Sequence, residues 1–201
     1  MRLLDRAFAV ATCLFILGSL TGFIVVLLAP SVQTLMVSIF QVRMLTPLRT
    51  VSRFGNTATL GLIFLNNSLP PLLSFLYPMI IMKVGWTPPL TKERRNVFMC
   101  SFTTLCALLI GMFDLGGVLA VAWEMGGINF LIHLLLTSAV HGPLEFLFVL
   151  LCVSEPLRIT WTSRGDTVEE VREKLRNDVW LLLICLIGLF ISAIVEVFFS
   201  L

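Results

Sequence analysis

The chain has 201 residues, of which 58% are hydrophobic and 13% charged, and its 14 basic and 12 acidic residues leave a formal net charge of +2. A soluble domain averages about 45–50% apolar and about 25% charged residues, so this composition excludes an ordinary soluble domain and indicates a polytopic membrane protein. The small net charge gives no reason to expect a nucleic-acid partner.

Taken in chain order, the first apolar block predicts a span at about 7–28. It is longer than the apolar region of a secretory signal and is not closed by a small-residue cleavage site, so it reads as a retained first span. Gly18-Ser-Leu-Thr-Gly22 inside it is a GxxxG pair, which lets a second helix approach closely. Pro30 ends the block. From Ser31 to Phe54 the pattern changes: Val32, Leu35, Met36, Ile39 and Phe40 recur at helical spacing among Gln33, Ser38 and Gln41. Arg43, Arg49 and Arg53 follow, and Pro47 breaks the run. This predicts an amphipathic helix pair, lying at the membrane interface or packed across the spans.

The second span is expected at about 57–82, interrupted by Asn66-Asn67-Ser68-Leu69-Pro70-Pro71. Proline has no N–H to give the helix ladder, and lipid cannot satisfy the freed carbonyls, so this face should meet protein or line a cavity. A polar loop with Trp86 and Pro88-Pro89 leads to a third span at about 97–122, which carries Asp114. A tight turn is expected at Glu124–Gly127, then a fourth span at about 128–153 with His133, His141 and Glu145. In the polar stretch that follows, Thr167-Val-Glu-Glu170 matches a capping box and predicts a charged cytoplasmic helix over 168–177. A fifth span at about 179–199 has Glu196 near its exit. The expectation is therefore an all-α, five-span membrane protein, with one membrane domain over residues 1–201 and an interfacial amphipathic segment at 31–54.

Placing the N-terminus in the cytoplasm puts every basic residue except Arg43, Arg49 and Arg53 on the inner side. The positive-inside rule then orients the chain in the cell membrane with its N-terminus in and its C-terminus out. The cysteines (Cys13, Cys100, Cys106, Cys152 and Cys185) lie in apolar segments with no CxxC pair. They read as small buried apolar residues rather than as a disulfide framework or a zinc site.

The unusual chemistry is His141-Gly142-Pro143-Leu144-Glu145, because ionisable residues at membrane depth are expensive and mark functional sites. Counting ~1.5 Å per residue puts Asn66 and Asn67 ~14 Å, His141 ~20 Å and Glu145 ~26 Å below the outer face, so the asparagines and His141 can meet near the midplane. Asp114 and His133 both fall within ~10 Å of that face by the same count and form a second candidate pair. Pro143 suits the first turn of a new half-helix, and Gly142 suits the turn before it. Glu145 then sits near the positive end of the helix dipole. Broken helices of this kind bind ions in transporters.

Three uses of the cluster are open: an internal lock between spans, a transport or ion-coupling site, and a metal or hydrolytic centre. His141 and Glu145 are spaced i, i+4, which suits shared coordination, but Gly-Pro between them spoils a regular helix. There is no HExxH, no GxSxG, no Walker A and no GxGxxG. No enzymatic activity, cofactor or metal is expected.

These residues make the chain resemble the stage II sporulation protein M family of membrane proteins. The resemblance rests on Phe64-Leu-Asn-Asn67 in the second span, on His141-Gly142 followed by Glu145 in the fourth, and on the five-span layout with an amphipathic stretch after the first span. Tyr77-Pro78 and Val140 depart from the family's pattern. The resemblance implies a non-enzymatic integral membrane scaffold that organises other membrane or envelope proteins, with Asn66 or Asn67, His141, Gly142 and Glu145 as motif positions. In that reading the polar cluster locks the helices together. Lipid surrounds the spans, and Gly18 and Gly22 leave self-association open. The competing expectation is a transporter or channel component, including an ABC-type permease partner, coupled through Glu145 and His141.

Overall fold

A computed structural model of the chain describes residues 2–42, 46–84, 104–162 and 168–200. Every described element is helical, and no strand occurs among the described residues. Among the described residues, four helical stretches are long and apolar enough to cross a membrane: Arg6–Leu28, Asn56–Leu76, Thr104–Ser138 and Val179–Phe198. Leu17, Leu20 and Ile24 on the first and Ile184, Ile187 and Ile191 on the last are exposed. Such faces are costly in water and suit acyl chains.

Helix α1 spans Arg2–Leu28, uninterrupted because it holds no proline. Ala29 is extended (φ −122°, ψ 95°), and Pro30 opens α2, Pro30–Phe40, where its missing N–H costs nothing. Val26 of α1, Met36 of α2, and Ala120 and Val121 form one buried cluster, so α2 folds back against the bundle. The expected helix pair continues as α3, Thr46–Val51, with a single 3-10 turn at Ser52–Phe54. Arg49 and Arg53 are exposed, and Arg43 lies outside the described residues. Gly55 (φ 95°) turns the chain into α4 in a conformation that only glycine adopts cheaply.

Helix α4, Asn56–Val84, runs through Pro70 and Pro71 without a break. The expected interruption is therefore absent from the helical path. The two prolines instead remove the ladder donors for the carbonyls of Asn66 and Asn67, four residues earlier. Pro71 is buried, and its own carbonyl accepts from Cys152 Sγ at 3.6 Å.

Helix α5 covers residues 104–117, and its last two turns, Gly111–Gly117, are π-wound. The expected third span starts earlier, at 97, but 97–103 lie outside the described residues. Helix α5 packs on α1 backbone to backbone. A Cβ on Gly18 would come within 2.1 Å of the Leu108 carbonyl oxygen, and one on Gly22 within 2.3 Å of that of Met112. From the other side, a Cβ on Gly111 would sit 2.1 Å from the Phe15 carbonyl oxygen and one on Gly116 2.1 Å from that of Ser19. The GxxxG face is thus filled within the chain and does not present a free surface to a second copy.

Helix α6, Val118–Ser138, is broken at Gly127 (φ 61°, ψ −156°), inside the turn expected at Glu124–Gly127. The whole apolar run of 35 residues from Thr104 to Ser138 would measure about 52 Å as one straight helix. That exceeds a bilayer core of about 30 Å, and the break at Gly127 divides it. Ala139–His141 form a turn, and α7 follows at Gly142–Thr162. The fourth span expected at 128–153 is therefore two helices and not one. The second of them runs nine residues past the expected end.

Helix α7 packs against α1, α4 and α9 and forms the centre of the fold. Helix α8, Val168–Asn177, has the expected bounds, while the capping residue Thr167 lies outside the described residues. Val171 and Leu175 are buried on one face, and Glu169, Glu170, Arg172, Glu173 and Arg176 are exposed on the other. Glutamates in its first turn and Lys174 and Arg176 in its last complement the helix dipole. Helix α9, Val179–Val195, closes the bundle and continues as a π-wound end, Glu196–Ser200. Phe75, Cys152, Ile159, Leu175, Leu182 and Cys185 share one buried cluster that joins α4, α7, α8 and α9. Among the described cysteines, Cys152 and Cys185 are buried, Cys106 is half-buried and Cys13 is exposed, so the uniformly buried reading holds for only part of the set.

Candidate functional site

The break between α6 and α7 builds the site. The turn at Ala139–His141 leaves the first N–H groups of α7 to be satisfied, and the His141 carbonyl accepts the Glu145 N–H at 3.0 Å. Ser192 Oγ of α9 donates to the same carbonyl at 3.2 Å, pinning the turn to a different helix. His141 is 9% exposed. Glu145 falls in the first turn of α7, as the half-helix reading requires. Gly142 is not in the left-handed region. A Cβ there would meet only the Ser138 Cβ, at 3.7 Å, so neither backbone nor space demands a glycine at that position.

His141 and Glu145 are joined by a residue that the sequence reading left aside. Glu196, at the π-wound end of α9, brings a carboxylate to the same place. One ligand-type atom from each of His141, Glu145 and Glu196 lies within 4.8 Å of the others. All three line a cavity of about 330 Å³, together with Asn66, Asn67 and Pro70 of α4, Ser138, and apolar side chains from α2, α5, α6 and α7. Val118, Leu119 and Val121, before the Gly127 break, line the same cavity as Leu134 and Leu135 after it. The chain therefore folds back around this space. Asn66 Nδ2 donates to Asn67 Oδ1 at 3.1 Å, so the asparagines present a coupled amide pair on the α4 wall.

Aromatic contacts hold the walls. Phe146, in α7 beside Glu145, packs on Phe15 of α1 with ring centroids 4.9 Å apart. Phe64 of α4 meets Phe190 of α9 edge-on at 5.4 Å. Of the second candidate pair, His133 is exposed, and the side chain of Asp114 lies outside the described residues.

The signal for Glu196 was present in the sequence, as the lone acid of the most apolar helix. Placed only near the exit of the fifth span, it was not linked to His141. The hydrogen bond from Ser192 puts His141 level with that residue and thus within one turn of Glu196.

A second polar cluster sits farther along α7. Arg158 Nε donates to both carboxylate oxygens of Glu155, at 2.9 and 3.0 Å, and its Nη2 reaches Glu155 and also Asp178 Oδ2, the latter at 2.9 Å. Glu155 is 2% exposed. The sequence reading placed these residues in the polar stretch between the fourth and fifth spans; the structure places Glu155 in the core, and the cluster fastens α7 to the joint between α8 and α9.

No family model matches this chain, and no curated protein or solved structure matches it either. Among the described residues the fold is all-helical, with several helices apolar and long enough to cross a membrane.

Proposed function

We propose that the protein is a non-enzymatic, five-span protein of the cell membrane that binds a small cation in its intramembrane cavity, as a transport or ion-coupling component. The observation that carries this reading is the convergence of His141, Glu145 and Glu196 on one cavity of about 330 Å³. A cavity of this size beside the charged groups is what a bound solute requires, and it far exceeds the roughly 10–15 Å³ that a single water needs on the same measure. Two carboxylates side by side in a low-dielectric layer also favour a positively charged occupant, whether protons or a metal ion. In this reading α7 is the fifth crossing. The basic residues other than Arg43, Arg49 and Arg53 face the cytoplasm, which puts the N-terminus inside.

The test is ion and proton flux in proteoliposomes. Wild-type protein should carry flux that Glu145→Gln abolishes, while the purified variant keeps its thermal stability. The scaffold reading, implied by the resemblance to the stage II sporulation protein M family, finds its support in α8, whose exposed charged face suits a cytoplasmic partner. It predicts no flux from either form, together with defined membrane proteins recovered on affinity purification.

A further inference from the structure

We propose that His141, Glu145 and Glu196 form a binding site for one divalent transition-metal ion. This rests on the reading of the cavity as a ligand site and narrows the ligand to a chemical class.

The donor set makes the choice. One imidazole and two carboxylates suit Zn²⁺, Mn²⁺ or Fe²⁺, whereas Mg²⁺ and Ca²⁺ are held by oxygen ligands. Bonds of about 2.0–2.2 Å to a common ion put neighbouring ligand atoms about 3–3.5 Å apart. The three groups already lie within 4.8 Å of one another. The remainder to be closed is thus about 1–2 Å at most.

The backbone is arranged to keep the three together. Glu145 lies one turn beyond His141 and is tied to it through the Glu145 N–H. Glu196 lies one turn beyond Ser192, whose hydroxyl holds the His141 carbonyl. Charge decides the valence: two carboxylates with a neutral imidazole balance a divalent ion, so the loaded site carries no net charge into the apolar layer, where an unbalanced charge is costly. Three protein ligands leave at least one coordination position open, as in metal sites that exchange a ligand or a water. That position would face the remaining cavity, whose lining includes Asn66 and Asn67.

The full-length chain, purified in detergent and stripped with chelator, is loaded separately with Zn²⁺, Co²⁺ and Mg²⁺ and desalted. Bound metal is then counted by mass spectrometry, and Co²⁺ is also followed by its visible absorption. About one Zn²⁺ or Co²⁺ per chain should be retained, with Mg²⁺ lost. Retention should fall about tenfold or more in His141→Ala and Glu196→Gln, and stay unchanged in His133→Ala, the exposed histidine. Wild-type protein that keeps no Zn²⁺ or Co²⁺ overturns the proposal whatever the variants do. So does retention unaffected by both substitutions, or a preference for Mg²⁺. Glu145-dependent flux without any bound metal would remove the metal and leave the cation-binding function standing. Metal bound without flux would do the reverse.

Discussion

The two ends of helix α7 handle charge in opposite ways. Toward its C-terminal end Glu155 is buried, yet Arg158 contacts both of its oxygens and reaches on to Asp178. The cluster is closed and holds three helices in place. At the N-terminal end, His141 and Glu145 meet Glu196 beside an open cavity. The contrast teaches that burial of an acid in an apolar fold does not by itself indicate function. Glu155 is the more deeply buried acid, and its surroundings account for it fully. The other end is distinguished by space beside the charge and by an imidazole among the donors.

Breaking the closed cluster should have the largest effect. Arg158→Ala leaves Glu155 buried without its cation and is expected to cost about 2–4 kcal/mol, below the loss for a fully buried pair because Arg158 keeps 28% of its side chain exposed. Thermal unfolding in detergent measures it, and an unchanged midpoint would contradict the closed cluster. Gly111→Ala comes next, at about 1–3 kcal/mol, since its Cβ would meet the Phe15 carbonyl and force α1 and α5 apart. A variant as stable as the wild type would show that the two helices tolerate a wider spacing. Ser192→Ala should cost about 1 kcal/mol for a buried hydrogen bond, and should also loosen the turn that carries His141, read as weaker Co²⁺ absorption. At the open end, Glu145→Gln should change stability by less than about 1 kcal/mol, because the amide keeps the size and shape of the carboxylate and still accepts hydrogen bonds, while flux is lost. A large stability loss there would make the open end a lock after all. His133→Ala, on an exposed position, should change neither stability nor flux beyond about 0.5 kcal/mol.

Much of the architecture was legible from residue patterns. Long apolar runs fixed α1 and α9, because a stretch of that length has no other stable solution than a helix among apolar surroundings. Helix α8 was legible because the capping box at Thr167 and Glu170 marks a helix start within a few residues of chain. The break at Gly127 and the start of α7 at Gly142-Pro143 were also readable, as glycine and proline act locally. The continuity of α4 through Pro70 and Pro71 was not readable: loss of ladder donors favours a break, and packing of Pro71 and Phe75 against α7 and α9 overrides it.

The local chemistry of this protein was determined by the sequence alone: apolar helices, a helix restarted at Pro143, and an acid placed in its first turn. Only the tertiary structure decided which charges meet. Glu155 and Asp178 are 23 residues apart and share Arg158; Glu196 stands 51 residues beyond Glu145 and reaches the same cavity. Periodicity and capping act over a few residues along the chain, whereas the meeting of distant side chains depends on how helices pack in space. No spacing rule along one strand of residues encodes that.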